Sequence, residues 1–284
     1  MDTQAAERMN DDARAQWDRM AKGWSDNSVR IRPWLHDATQ AMLTMAAIGP
    51  GSRVLDVAAG AGDQTLDIAA RVGPAGHVLA TDVSPEILRL AGERVAAAGF
   101  SNVETRVCAG ERLNVADAVF DAAVCRLGLM LFADPLQALR EIHRSLKPGG
   151  GFCSVVFSAP DKNPCIVAVV STAFKHAGLP PRDPFLPGGL LSLGKPGLID
   201  ELFARAGFRD VATTRMAAPF TLPAVADYLD FIKSAAAPIV ALVERLEPAK
   251  REAAWLEIED KLRTFETGSG WQGPNELLLT AARK

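Results

Sequence analysis

Short, nearly continuous apolar runs alternate along this chain with longer stretches in which apolar residues return every three or four positions. The runs at 53–57, 77–81, 119–125 and 151–158 ("GFCSVVFS") are dominated by Val, Leu, Ala, Cys and Phe, and a more polar run lies at 103–107. Strands that carry apolar residues on both faces are covered on both faces, which is the condition of a parallel sheet. The intervening stretches at 63–72, 85–98 and 135–146 carry the helical period. Pro85 and Pro135 open two of them, while "GPG" (49–51) and "KPGG" (147–150) act as stops. Strands alternating with helices, with a loop alone between the runs at 103–107 and 119–125, predict a doubly wound α/β fold with a parallel sheet.

The flanks keep a looser rhythm. Residues 1–31 read as a polar tail running into a short helix with Trp17, Met20 and Trp24 at helical spacing. Pro33 is positioned to start the next helix, whose apolar face is Leu35, Met42, Leu43 and Ala46. Past residue 158 the pattern predicts a helix at 164–177, the loop "GLPPRDPFLPGG" (178–189), a helix at 196–206 and a strand at 208–216. Helical stretches at 222–236 and 238–265 then precede a last strand, "ELLLTAARK" (276–284). There is no internal repeat. The expectation is one domain: an N-terminal helical lid (1–49), a cofactor-binding core (50–158), and acceptor-side insertions with the last strands (159–284).

Composition narrows the function classes. With 284 residues, 48% of them hydrophobic, the chain can bury a large core. A net charge of -3, with no run of Lys or Arg longer than two, excludes a nucleic-acid footprint, which needs clustered cations. Cys108, Cys125, Cys153 and Cys165 form no CxxC pair and have no partner His at metal-ligand spacing, so they read as reduced core thiols and no metal site is expected. The polar start "MDTQAAERMNDDARAQWDRM" is neither a leader nor an anchor, and no apolar stretch reaches about 18 residues. A cytoplasmic protein acting on a small molecule is expected, with a homodimer left open.

The candidate chemistry sits in "VLDVAAGAGDQT" (54–65). A dinucleotide loop wants G-x-G-x-x-G, the third glycine allowing the helix to pack closely on the strand. Here Gly60 and Gly62 are followed by Asp63, Gln64 and Thr65, so the third glycine is missing. Asp56 lies inside the strand, four residues before Gly60. A carboxylate there is ill placed beside a pyrophosphate and well placed beside a cationic ligand. Asp82, 20 residues after Gly62 at the end of the next strand, can accept both hydroxyls of a ribose, a geometry shared by nicotinamide and S-adenosylmethionine sites.

At these residues the chain resembles the class I S-adenosylmethionine-dependent methyltransferases, most closely the ubiquinone/menaquinone-biosynthesis type. "DVAAGAGDQT" is similar to that family's D-V-A-x-G-x-G-D-x-T loop, "TDVSPEIL" to its acidic second strand, "FDAAVCRLGL" to its fourth strand and "LKPGG" to the turn before its fifth. The likeness covers about residues 50–158. It implies a Rossmann-like seven-stranded sheet with the last strand antiparallel and helical cap insertions, S-adenosyl-L-methionine as cofactor, and methyl transfer to a small, mostly apolar acceptor at O, C or N. It further implies that Ala58, Gly60 and Gly62 let the backbone approach the methionine moiety, with Asp56 near its amino group and Thr65 at a contact position. Asp82 would hold the ribose and Val83 would pack on adenine. Gly110 and Glu111 would bracket that ring, and Arg126 would lie beneath the cofactor. One position departs from the family, since Ala109 stands where Asp or Asn usually receives the adenine amino group.

Methyl transfer from a sulfonium needs alignment and dryness more than covalent help, so the absence of an obvious base is no argument against it. His36 and His176 fall in the helical additions that should surround the acceptor and are the candidate bases. The rival readings are a cofactor-binding protein on the same scaffold that does not methylate, or one that runs another reaction, and Ala109 keeps them open. A nicotinamide-dependent dehydrogenase is disfavoured by Asp56 and the missing third glycine.

Overall fold

The computed structural model describes residues 3–284. Two helices come first, α1 (Thr3–Asp26) and α2 (Ser28–Met45). The alternation follows as β1 (Arg53–Val57), α3 (Asp63–Val72), β2 (His77–Asp82), α4 (Pro85–Ala97), β3 (Val103–Val107), β4 (Phe120–Arg126), α5 (Pro135–Ser145) and β5 (Leu146–Phe157). Then come α6 (Pro164–His176), α7 (Leu198–Arg205), β6 (Arg209–Ala217), β7 (Phe220–Leu222), α8 (Val225–Ala235), α9 (Ala237–Glu244) and α10 (Pro248–Arg263). The chain finishes with β8 (Glu266–Thr267), β9 (Gly270–Gly273) and β10 (Glu276–Arg283).

The main sheet has seven strands in the order β3-β2-β1-β4-β5-β10-β6. β1 pairs in parallel with both β2 and β4, while β10 runs antiparallel between β5 and β6. The order reverses direction at β1 and β4, and ligands in such sheets bind outside the carboxyl ends of the strands at that switch point. Val54, Leu55 and Val57 of β1 and Ala122, Ala123 and Val124 of β4 are buried. The central strands are therefore covered on both sides, as their apolar runs require.

Three details differ from the sequence-based reading. The N-terminal region is helical from Thr3, so α1 is 24 residues long and not a tail with a short helix. Pro33 lies inside α2, not at its start. The chain turns at Asn27, and a proline there forgoes one helical hydrogen bond to the Val29 carbonyl, on an exposed face where water can replace it. Finally, the stretch read as two helices holds α8, α9 and α10, and its ends contribute a second sheet of order β7-β9-β8. Trp271 of β9 is fully buried there, stacked on Tyr228 at 4.4 Å and donating from Nε1 to the Leu262 carbonyl at 2.8 Å. Among the described residues no helix is long and apolar enough to cross a membrane.

α1 packs against α4, α8 and α9. Its end is fixed by Asn27, which donates to Ser234 Oγ of α8 at 2.8 Å. Its middle is fixed by Asp18, which accepts from Ser84 Oγ at 2.5 Å. The first helix is thus held across the same end of the sheet that carries the strand tips.

Candidate active site

The turn after β1 is built from left-handed backbone. Ala58 (φ 56), Gly60 (φ 58) and Gly62 (φ 84) all lie in that region, which glycine enters without cost. Ala58 and Leu127 (φ 58), just beyond β4, are the non-glycine cases at the two neighbouring strand ends. Backbone held in such conformations concentrates where a site needs it. A Cβ on Gly62 would lie 3.1 Å from Ala91 Cβ, so α4 also presses on the turn. A Cβ on Gly128 would fall 2.4 Å from Ala58 Cβ, which shows how tightly the segment after β4 closes on the β1 turn.

Asp82 closes the second side. Its carboxylate accepts from Gly60 N–H at 3.0 Å and Ser84 N–H at 3.1 Å, tying the β1 turn to the start of α4. Each oxygen keeps a free lone pair, and the residue is only partly buried. Burial nevertheless pushes its carboxyl up to about 6 against the backbone N–H groups of Ser84, Gly60 and Val83, with the charge of Asp18 adding to the effect. Ser84 caps α4 by accepting from Ile87 N–H, so Asp82 is left free of that duty. Val83 is half-buried beside it.

Asp56 is fully buried. Thr65 Oγ1 donates to it at 2.6 Å and Gln64 Nε2 at 3.1 Å, so its two oxygens face the first turn of α3. Burial pushes its carboxyl up to about 6, against those two hydrogen bonds and the field of Arg126. A carboxyl whose folded pKa lies above its unfolded value binds more protons folded than unfolded. Its contribution to stability is then fully present below the ordinary aspartate value of 3.8 and is lost as pH rises through about 6. At about 1.4 kcal/mol per pKa unit, ionising Asp56 costs the fold on the order of 3 kcal/mol. Urea unfolding of the ligand-free protein at pH 5 and pH 7 is expected to show lower stability at pH 7. Asp56→Asn should make that slope shallower, Asp82 with its carboxyl also at about 6 supplying the remainder, and an equally steep slope in the variant would show that Asp56 is not a source of it.

The other side chains singled out from the sequence are spread more widely. Gly110 is buried under the Phe132 ring, with a Cβ there placed 2.5 Å from Phe132 Cε2. Glu111 Oε1 accepts from Ala133 N–H at 3.0 Å and Asp134 N–H at 3.2 Å, which fixes the segment before α5. Arg126 ends β4, is 8% exposed, and donates to Thr39 Oγ1 of α2 at 2.8 Å. His36 is exposed on α2. His176 ends α6 with Nε2 2.8 Å from Glu257 Oε2 of α10, in a cluster with Lys175 and Lys261. Those lysines and His176 hold the Glu257 carboxyl down at about 2. The geometry does not bring His36 and His176 together.

Further contributors lie outside the motif, among them the tryptophan pair at helical spacing in the N-terminal lid. Trp24 Nε1 lies 3.4 Å from a Cβ placed on Gly60, so α1 sets an indole over the glycine turn. Trp17 meets Trp24 edge-on at 5.6 Å. Beneath the turn, Asp63 pairs with Arg94 at 2.8 Å and accepts from Ser28 Oγ at 3.2 Å, joining α2, α3 and α4. A separate cavity of about 460 Å³ lies between α2 and the β6–β7 segment, lined by Pro33, Trp34, Met216 and Leu222 among others. It shares no residue with the glycine turn or Asp82. Among the described residues no cluster of three or more His, Cys, Asp or Glu could hold a metal ion.

The glycine turn and the aspartate at the tip of β2 fall within a stretch that one family matches over more than half the chain. The sequence profile of the ubiE/COQ5 methyltransferase family fits residues 14–178. The chain belongs to that family. The ubiquinone/menaquinone biosynthesis C-methyltransferase UbiE of Bordetella parapertussis is 40% identical over 113 residues, covering 40% of this chain and 43% of that protein. The match therefore spans less than half the length of this curated relative. Among solved structures, YcgJ of Bacillus subtilis aligns with a TM-score of 0.60 at 19% identity, over 88% of this chain and 98% of that one. The [4+2]-cyclase SpnF aligns with a TM-score of 0.53 at 23% identity, over 87% and 80%. At these identities the two likenesses speak for the fold alone.

Proposed function

We propose that this protein transfers the methyl group of S-adenosylmethionine to a small, mostly apolar acceptor, with a quinol- or phenol-type ring as the favoured class. The observation that carries the reading is the junction at Asp82. One carboxylate, partly open at the strand tip, is oriented by Gly60 and Ser84 N–H groups so that it can accept further bonds from a pair of neighbouring hydroxyls. The fit extends to the turn itself, where Gly60 carries bare backbone beneath the Trp24 indole and Gly62 lets the turn close against Ala91 of α4.

The bound cofactor would supply the electrophilic methyl and its own leaving group. Asp82 would hold its ribose, Gly60 and Gly62 would lie along its amino-acid end, and Phe132 on Gly110 would help wall the adenine side. Asp56 would act by locking the turn through Thr65 and Gln64, not by direct contact. Trp24, on a helix pinned by Asp18 and Asn27, would keep water off the reacting end, where exclusion of solvent strengthens every electrostatic contact. The names of the family and of its relative support the quinone-type acceptor. Neither histidine is given the role of base: His176 is engaged with Glu257 and His36 points from an exposed position.

The test is a labelled-methyl assay with S-adenosylmethionine and a panel of quinols, phenols, amines and keto acids. Transfer of label to a quinol or phenol is the expected outcome. Binding of S-adenosylhomocysteine without transfer to any member of the panel would instead favour the non-methylating reading, and no binding at all would contradict both.

A further inference from the structure

Tyr228, the chain's only tyrosine, lies on the buried face of α8 and is 4% exposed. Its ring is fixed by other rings: it stacks on Trp271 at 4.4 Å and on Phe231 at 6.1 Å, and meets Phe220 edge-on at 5.9 Å. Its hydroxyl is not fixed. Among the described residues it neither donates nor accepts a hydrogen bond, and burial pushes the phenol above its usual range, with Cys165 adding to the effect. A tyrosine this deeply packed ordinarily finds a partner for its O–H. This hydroxyl is not sealed in by its neighbours, so it faces open space. A neutral O–H donor on a rigid ring is thus held ready at an opening in an apolar wall.

Position says what would come to that opening. With the nucleoside held by Asp82 on β2, the next strands beyond the glycine turn of β1 are β4 and then β5. A second substrate therefore lies over the tips of β4 and β5. Cys165, whose field reaches the Tyr228 hydroxyl, stands in the first turn of α6, just past the end of β5 at Phe157. On its other side Tyr228 is joined through Phe231 to Trp24, at 6.3 Å, and so to the indole above Gly60. Pockets of this kind are mostly apolar, with a few polar groups that fix orientation. We propose that the Tyr228 hydroxyl donates a hydrogen bond to a ring oxygen of the methyl acceptor, and so selects an oxygenated ring over a bare one. This rests on the methyl-transfer reading above, and α8 lies outside the residues 14–178 that the family profile matches.

The test uses 1,4-dihydroxynaphthalene as acceptor probe, kept reduced, with the wild-type protein and Tyr228→Phe. The variant keeps the ring and its packing and loses only a hydroxyl without a protein partner, so it should keep its melting midpoint and its S-adenosylhomocysteine affinity. Its kcat/KM for the probe should fall roughly tenfold, mainly through KM, as the loss of one hydrogen bond requires. Wild-type protein labelled at the tyrosine ring carbon that bears the hydroxyl gives a single ring signal, since there is one tyrosine. That signal should move when the probe is added to the S-adenosylhomocysteine complex. An unmoved signal, or an unchanged kcat/KM in Tyr228→Phe, overturns the proposal. So does a parallel fall in midpoint, S-adenosylhomocysteine affinity and turnover, which would make the hydroxyl a structural support. Wild-type protein that binds S-adenosylhomocysteine but transfers no label to the probe contradicts the quinol reading, and this inference with it.

Discussion

Asp82→Ala is expected to remove most of the thermal stabilisation that S-adenosylhomocysteine gives the wild-type protein. A ligand at a hundred times its dissociation constant, bound only by the folded state, adds about 2.7 kcal/mol. Hydrogen bonds to a charged group contribute about 1.5–3 kcal/mol, and losing them would raise the dissociation constant on the order of a hundredfold. At the same ligand concentration about 0.4 kcal/mol would remain. Because Asp82 also accepts from Gly60 and Ser84 N–H, each variant has to be compared with its own ligand-free midpoint. Asp82→Asn keeps one acceptor oxygen and should fall between the two. An undiminished shift in Asp82→Ala would place the nucleoside elsewhere.

The second large effect lies away from the turn. Trp271→Ala should destabilise the protein by about 3–5 kcal/mol, the range for emptying a buried aromatic site. The indole is fully enclosed, stacks on Tyr228 and meets Phe265 edge-on at 6.4 Å. Its removal also takes the Nε1 donor from the Leu262 carbonyl, which keeps only the backbone N–H of the turn after α10. At about 2–4 °C per kcal/mol for a chain of this size, the melting point should fall by roughly 10 °C. Trp271→Phe keeps the stacking surface but not the donor, and should cost about half as much. A loss near zero in Trp271→Ala would show that β7, β8 and β9 add little to the stability of the rest.

What the sequence shows and hides follows from how the contacts are made. Gly60, Gly62 and Asp82 were legible because β1 and β2 are adjacent parallel strands, so residues at their carboxyl ends meet by topology alone. The order of apolar runs and helical stretches is enough to predict that. Contacts between remote elements left no such mark. Trp24 reaches Gly60, Asp18 reaches Ser84 and Arg126 reaches Thr39 only once α1 and α2 are laid over the sheet. The acidic character of Asp18 and the helical spacing of Trp17 and Trp24 were visible, but nothing in them names a partner. Glu111 shows the converse case. Its place in a motif suggests a ligand contact, while the fold turns it to the amides of Ala133 and Asp134. The small sheet was missed because strands of two to four residues are too short to show a period of two, and they sit among helices.

The most direct test of the account is a crystal structure of the protein grown with S-adenosylhomocysteine. The expected result is a nucleoside lying across the tips of β1 and β2, with both ribose hydroxyls in hydrogen-bond contact with the Asp82 carboxylate and the amino-acid end along Gly60 and Gly62. Ligand bound instead in the cavity beside Trp34, or a ribose that leaves Asp82 untouched, would contradict it.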